Sequence, residues 1–196
     1  MSTMAENHVV RETIAASAAA IGDLARQADA IERIAAAAVD ALQRGNKILT
    51  AGNGGSAAQA LHMAEELVGR FRGNRRSLPA LSLAADPTAL TCIGNDYGFD
   101  EIFRRQVEGL GQAGDVLVLF STSGRAPNLA AALDAAAARG LTTVGLLGRD
   151  GGALAGRVDL ELVVPGQATE RIQEAHLVVL HIVLDAVERA FPAESR

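Results

Sequence analysis

His62 and Glu66 stand four residues apart in a helix-forming stretch that the sequence places from Ala57 to about Phe71. That spacing sets an imidazole and a carboxylate on one helix face, ~6 Å apart in axial rise. Such a pair can share a divalent metal or act as general acid and base. It also suits an ordinary surface pair, and the neighbouring Glu65 shows that acidic residues here need no special role. Further on, Gln173, Glu174, His176 and His181 are set among Ile172, Leu177, Val178, Leu180, Ile182 and Val183. Polar groups on so apolar a helix need partners when buried, so each histidine is either a satisfied core residue or part of a site. Gln173 and His181 differ by ~12 Å in rise and ~80° in direction, so one small site holds both only if their side chains reach together or two subunits contribute.

Two loops have the composition of ligand cradles. Gly52-Asn53-Gly54-Gly55-Ser56 lets backbone approach a ligand closely, with the Asn53 and Ser56 side chains as hydrogen-bond partners. Ser121-Thr122-Ser123-Gly124 offers three successive hydroxyls, the composition of a phosphate cradle that lacks a lysine. Neither is a nucleotide signature. Ala57 stands where a third glycine would fall, no acidic residue closes a strand about twenty residues later, and no Gly-Lys-Ser/Thr is present. Together the loops favour a small phosphorylated ligand.

Both loops end short apolar runs. Lys47–Ala51, Pro79–Ala84, Asp115–Phe120, Leu141–Leu147 and Asp159–Val164 read as five strands alternating with helices, and a last helix spans Thr169 to Ala190. Fully apolar strands of this kind indicate a parallel sheet covered on both faces, whose carboxyl ends form the binding crevice. Before them, residues 1–45 carry apolar positions at helical spacing (Ile14, Ala18, Ile21; Ile31, Ile34, Ala38), punctuated at Gly22-Asp23 and Gly45-Asn46. They predict two Ala-rich helices able to pack closely within the chain or between subunits. No linker or internal repeat divides residues 1–196, so one domain is expected. The Arg70–Ser77 loop reads first as solvated surface and second as a cationic rim for an anionic substrate.

The 196 residues are 49% hydrophobic with a net charge of −5, which argues against a nucleic-acid surface. Cys92 is the only cysteine, so neither a disulfide framework nor a thiolate cluster is expected. No apolar run approaches the ~18 residues of a membrane span, and the beginning of the chain lacks a basic segment followed by an apolar one. No membrane association is expected, and a cytoplasmic location is.

Taken in order, Gly52-Asn53-Gly54-Gly55-Ser56-Ala57-Ala58 with His62 and Glu66, Gly94-Asn95-Asp96-Tyr97-Gly98, Ser121-Thr122-Ser123-Gly124, and Arg171-Ile172-Gln173-Glu174 with His176 and His181 closely resemble the phosphoheptose isomerases of the sugar isomerase (SIS) family. The resemblance spans essentially the whole chain and lies in the combination and order of the motifs. It implies an α/β fold, a three-layer αβα sandwich with a five-stranded parallel sheet of SIS type, flavodoxin-like, plus the N-terminal helical extension. It also implies a homotetramer packed partly through residues 1–45, with active sites between subunits and a sugar phosphate as substrate. One Zn2+ per subunit would be held by His62, Glu66, Gln173 and His181. Substrate contacts would come from Asn53, Gly54, Gly55, Ser56, Glu66, Asn95, Asp96, Ser121, Thr122, Ser123 and Gln173.

The activity implied is conversion of D-sedoheptulose 7-phosphate to D-glycero-D-manno-heptose 7-phosphate, the opening step of nucleotide-activated heptose synthesis. Moving a proton between C1 and C2 through an enediol requires a base near carbon and an acid near oxygen. Glu66 is the candidate base and His181 the candidate acid/base for the oxygen protons. One position departs from the pattern: Ala126 stands where many family members have a third phosphate-side serine, which removes one hydrogen bond, ~1–3 kcal/mol if it served a charged group. Arg125 and Asn128 are candidates to compensate. The competing readings are an isomerase for a different sugar phosphate and a non-catalytic SIS protein that binds the bacterial replication initiator. Relatives of the latter kind lack the equivalents of Glu66 and His181. A sugar-phosphate sensor is a third, but no DNA-binding helix-turn-helix accompanies the domain.

Overall fold

The computed structural model describes residues 3–192, with side chains from His8; the ends of the expected 1–196 domain lie outside the described residues. α1 (Thr3–Gly22) and α2 (Ala28–Gln43) are joined by a 3₁₀ turn at Asp23–Gln27, as the Gly22-Asp23 punctuation predicts. Then come β1 (Ile48–Gly52), α3 (Gly55–Val68), β2 (Ala80–Ser82), α4 (Pro87–Tyr97), α5 (Arg104–Leu110), β3 (Val116–Ser121), α6 (Pro127–Ala138), β4 (Thr142–Gly148), β5 (Leu160–Val164) and α7 (Thr169–Ala190). Pro87 opens α4 behind Asp86, whose carboxylate accepts from the N–H groups of Thr88 and Ala89 at 2.8 and 3.2 Å.

All strand pairs are parallel, in the order β2-β1-β3-β4-β5. Alternate residues of the buried strands feed opposite cores. Ile48, Val116, Val118 and Phe120 pack under α2, α3 and α7, while Leu49, Leu117 and Leu119 pack with α5 and α6. These apolar runs are strands because both sheet faces are covered, which a half-exposed alternating pattern would not tolerate.

The order reverses at β1, which lies between β2 and β3. The helix after β1 therefore covers one face and the helix after β3 the other, so the two following loops diverge and leave a crevice at the carboxyl ends of the strands. Thr50 fixes α3 over that edge through its hydroxyl, which donates to the Ala60 carbonyl at 2.7 Å in the core. Two elements differ most from the sequence expectation: β2 is shorter than Pro79–Ala84, and α3 begins at Gly55, ahead of Ala57, and ends at Val68, short of Phe71. Gly69 closes it, its N–H bonding to the Glu65 carbonyl at 2.7 Å, and the chain then turns back toward α7.

Candidate active site

The β1 and β3 loops flank a cleft of about 100 Å³ lined by Asn53, Ser56, Phe120, Ser121, Thr122, Ser123, Ala126 and Leu129. Gly52 lets α3 start this close to the strand, since a Cβ there would fall 2.6 Å from the Ser56 carbonyl oxygen. Gly124 has φ +62° and packs on Gly151 so tightly that any side chain would penetrate its carbonyl. The Ser121 hydroxyl accepts from the Gly124 N–H at 2.9 Å and fixes the turn. Asn53 and Asn128 exchange two amide hydrogen bonds, each 2.9 Å. Asn128 is almost fully buried, so it orients Asn53 and does not reach a ligand in place of the missing hydroxyl at Ala126. Arg125 is likewise engaged, with Asp150 at 2.6 Å.

A second group of residues gathers between α3 and α7. His62 Nε2 lies 3.4 Å from Glu66 Oε1, and the His62 and His181 rings meet edge to face with centroids 5.3 Å apart. Phe71 stacks on His181 at 5.8 Å. Partial burial, and then the neighbouring His62, hold the His181 imidazole below its ordinary range; Glu66 pulls the other way and Arg72 adds to the depression. Helical pitch accounts for His62 and Glu66. His181 joins them because α3 and α7 pack side by side on the same sheet face.

Gln173 is engaged elsewhere in this chain. Its carbonyl accepts from Gln59 Nε2 at 2.7 Å, and its side-chain amide lies against Gly55. It lines a cleft of about 310 Å³ with Gly55, Gln59, Glu170, Glu174 and Leu177. Asn95 and Asp96 are exposed on the last turn of α4, bonded to each other at 2.7 Å, and line neither cleft. Gly54, with φ +56°, is exposed at the mouth of the β1 loop. His176 is a core histidine: fully buried, it bonds to the Leu147 carbonyl at 3.0 Å, and burial pushes its pKa down to about 4.

Most of the Arg70–Ser77 loop is exposed, in keeping with its first reading as solvated surface, and Arg75 is the exception. Arg75 is buried, and its guanidinium bonds to the carbonyls of Glu66 and Leu67. Phe71 is the contributor that sequence reasoning passed over, and Asn128, named there only as a substitute for the hydroxyl lacking at Ala126, instead orients Asn53. The only signal for Phe71 was an aromatic residue isolated in an arginine-rich loop, in a chain with few aromatics.

The donor set suits a small divalent cation. One ligand atom each of His62, Glu65 and Glu66 lies within 4.8 Å of the others, and imidazole nitrogen with carboxylate oxygen is chemistry that zinc accepts. The His181 ring stands beside this group, its centroid 5.3 Å from that of His62.

The SIS domain family pattern matches residues 13–148. The chain is 57% identical over 157 residues to a phosphoheptose isomerase of Pelobacter propionicus, covering 80% of this chain and 83% of that protein. It is 58% identical over 154 residues to one of Geobacter sulfurreducens, covering 78% and 82%. The solved phosphoheptose isomerase of Neisseria gonorrhoeae superposes with a TM-score of 0.87 at 40% identity, over 92% of this chain and 98% of that one. That of Francisella tularensis gives 0.89 at 34% identity, over 96% and 100%. With sequence and fold agreeing over most of both partners, the chain belongs to the phosphoheptose isomerase branch of the SIS family.

Proposed function

We propose that this protein is an aldose-ketose isomerase that converts D-sedoheptulose 7-phosphate to D-glycero-D-manno-heptose 7-phosphate through an enediol. The observation that carries the reading is the convergence of His62, Glu66 and His181 between α3 and α7, in a chain 57% identical to a phosphoheptose isomerase. The Ser121–Ser123 hydroxyls and the amides of Gly54 and Gly55 bind the phosphate end, with Asn53 and Ser56 contacting the sugar, and Asn95 and Asp96, which line neither cleft of their own chain, contact it across a subunit boundary. Binding energy gathered away from the reacting carbons then serves to hold C1 and C2 in place.

Glu66 takes a proton from C1 of the ketose and returns it to C2. His181 accepts the proton from O1 and donates one to O2, so the carbonyl moves from C2 to C1 with no net change in protons. His62, Glu66 and His181 would hold the metal, with Gln173 as fourth ligand after its side chain swings or a second subunit approaches. When bound, zinc supplies Lewis-acid stabilisation of the oxygens on C1 and C2. We read residues 1–196 as one SIS-type domain that assembles as a homotetramer through its first 45 residues, and we place it in the cytoplasm, where sugar phosphates are made.

Incubation with sedoheptulose 7-phosphate, with products identified by NMR, tests the reading. Formation of the manno-heptose phosphate supports it, and absence of turnover contradicts it.

A further inference from the structure

A helix leaves its last four carbonyls without partners inside the helix, and that turn frays unless something binds them. Glu66 stands in this turn of α3. The Gly69 N–H takes the Glu65 carbonyl, Arg75 Nη2 donates to Glu66 O at 2.7 Å, and Arg75 Nη1 donates at 2.9 Å to Leu67 O, which also accepts from the Leu78 N–H at 3.1 Å. A cation at this end also complements the helix dipole. The Arg75 side chain is only 2% exposed, so its charge requires a partner, and Glu188 of α7 lies 3.4 Å from its Nε. The other Glu188 oxygen accepts the Gly73 N–H.

The same segment touches α7 twice more. Arg72 pairs with Asp185 at 2.6 Å, and Phe71 stacks on His181. His181, Asp185 and Glu188 follow one another at i, i+4 and i+7, so they form a single stripe on α7. Residues 71–75 thus lie along the stripe that carries His181 while gripping the turn that carries Glu66.

We propose that Arg75 is a positioning residue for the isomerisation, and that residues 71–75 are a strap fixing Glu66 relative to His181. The role rests on Glu66 and His181 being the reacting pair. The strap acts on the reacting end and leaves the phosphate cradle at the β1 and β3 loops alone, so its loss alters turnover more than substrate affinity.

The test compares wild type, Arg75→Met, Arg75→Lys and Glu66→Gln by steady-state kinetics with sedoheptulose 7-phosphate, and by hydrogen exchange of the folded proteins. Arg75→Met is expected to lower kcat by ~10–100-fold, the scale of a misplacement near 1 Å, with KM within about twofold. Exchange should quicken in residues 66–70 and stay unchanged in the first half of α3. Arg75→Lys, which keeps the charge but not the two-pronged donor, should fall between wild type and Arg75→Met. An unchanged kcat in folded Arg75→Met overturns the proposal, as does exchange that quickens uniformly through the chain. If Arg75→Met does not fold, Arg75→Lys decides by the same two readouts. Glu66→Gln separates the layers: wild-type turnover in that variant contradicts the role of Glu66 itself, whereas its inactivity beside a fully active Arg75 variant contradicts only the strap.

Discussion

Glu66 and His181 are assigned the proton transfers in the proposed reaction, and each makes a separate prediction. Glu66→Gln removes the base while nearly preserving shape, and His181→Ala removes the proton carrier; each should lower kcat by ~10²–10⁴-fold in a protein that still folds and assembles. Wild-type turnover in both would contradict the assigned roles. Asn128→Ala would leave Asn53 without its reciprocal partner and should raise KM by about tenfold, the scale of one net hydrogen bond of ~1.5 kcal/mol. An unchanged KM would mean that Asn53 does not hold the sugar. His176 predicts a pH effect on stability. Its pKa is about 4 in the fold against 6.5 unperturbed, so as pH falls below 6.5 the unfolded chain takes up the proton first. Stability should fall between pH 6.5 and 4, by up to about 3 kcal/mol, and be insensitive to this group above that interval. His176→Gln, which keeps a donor for the Leu147 carbonyl, should flatten that part of the melting-temperature profile. An identical slope would remove His176 as its cause.

At the scale of elements, legibility followed locality. The strand over Asp115–Phe120 could be read because a continuous apolar run has few other homes, and α7 matches its expected limits because its apolar stripe is unbroken over 22 residues. His62 and Glu66 were legible from helical pitch alone. Asn128 was not, since its partner Asn53 lies 75 residues away and nothing local marks the pair. Arg75 was misread for the same reason. An arginine-rich loop looks solvated until the free carbonyls of α3 and the carboxylate of Glu188 are brought to it by the packing of α3 against α7. The His62–His181 contact depends on that packing as well, so the resemblance pointed to it and helical periodicity did not.

At the scale of the whole molecule, α1 leaves apolar surface uncovered. Val9 and Ile14 are each 63% exposed, and Ile21, at the end of the same helix, lines a groove with Leu24, Ile31, Val178 and Ile182. Covering such a surface with a second copy of the chain is the physical basis of the proposed tetramer. Ile14→Glu should reduce the assembly below four chains by light scattering and lower activity with it; an intact tetramer would place the contact elsewhere. Among the described residues no helix is long and apolar enough to cross a membrane. Removing bound metal with a chelator should abolish turnover, and zinc should restore it, whereas full activity in metal-free protein would contradict an essential metal. The most direct test of the account is to offer the purified protein sedoheptulose 7-phosphate beside other ketose phosphates and identify the products by mass spectrometry and NMR. The prediction is D-glycero-D-manno-heptose 7-phosphate from the first and little or no product from the others; no turnover of sedoheptulose 7-phosphate, or preferred turnover of another ketose phosphate, would contradict it.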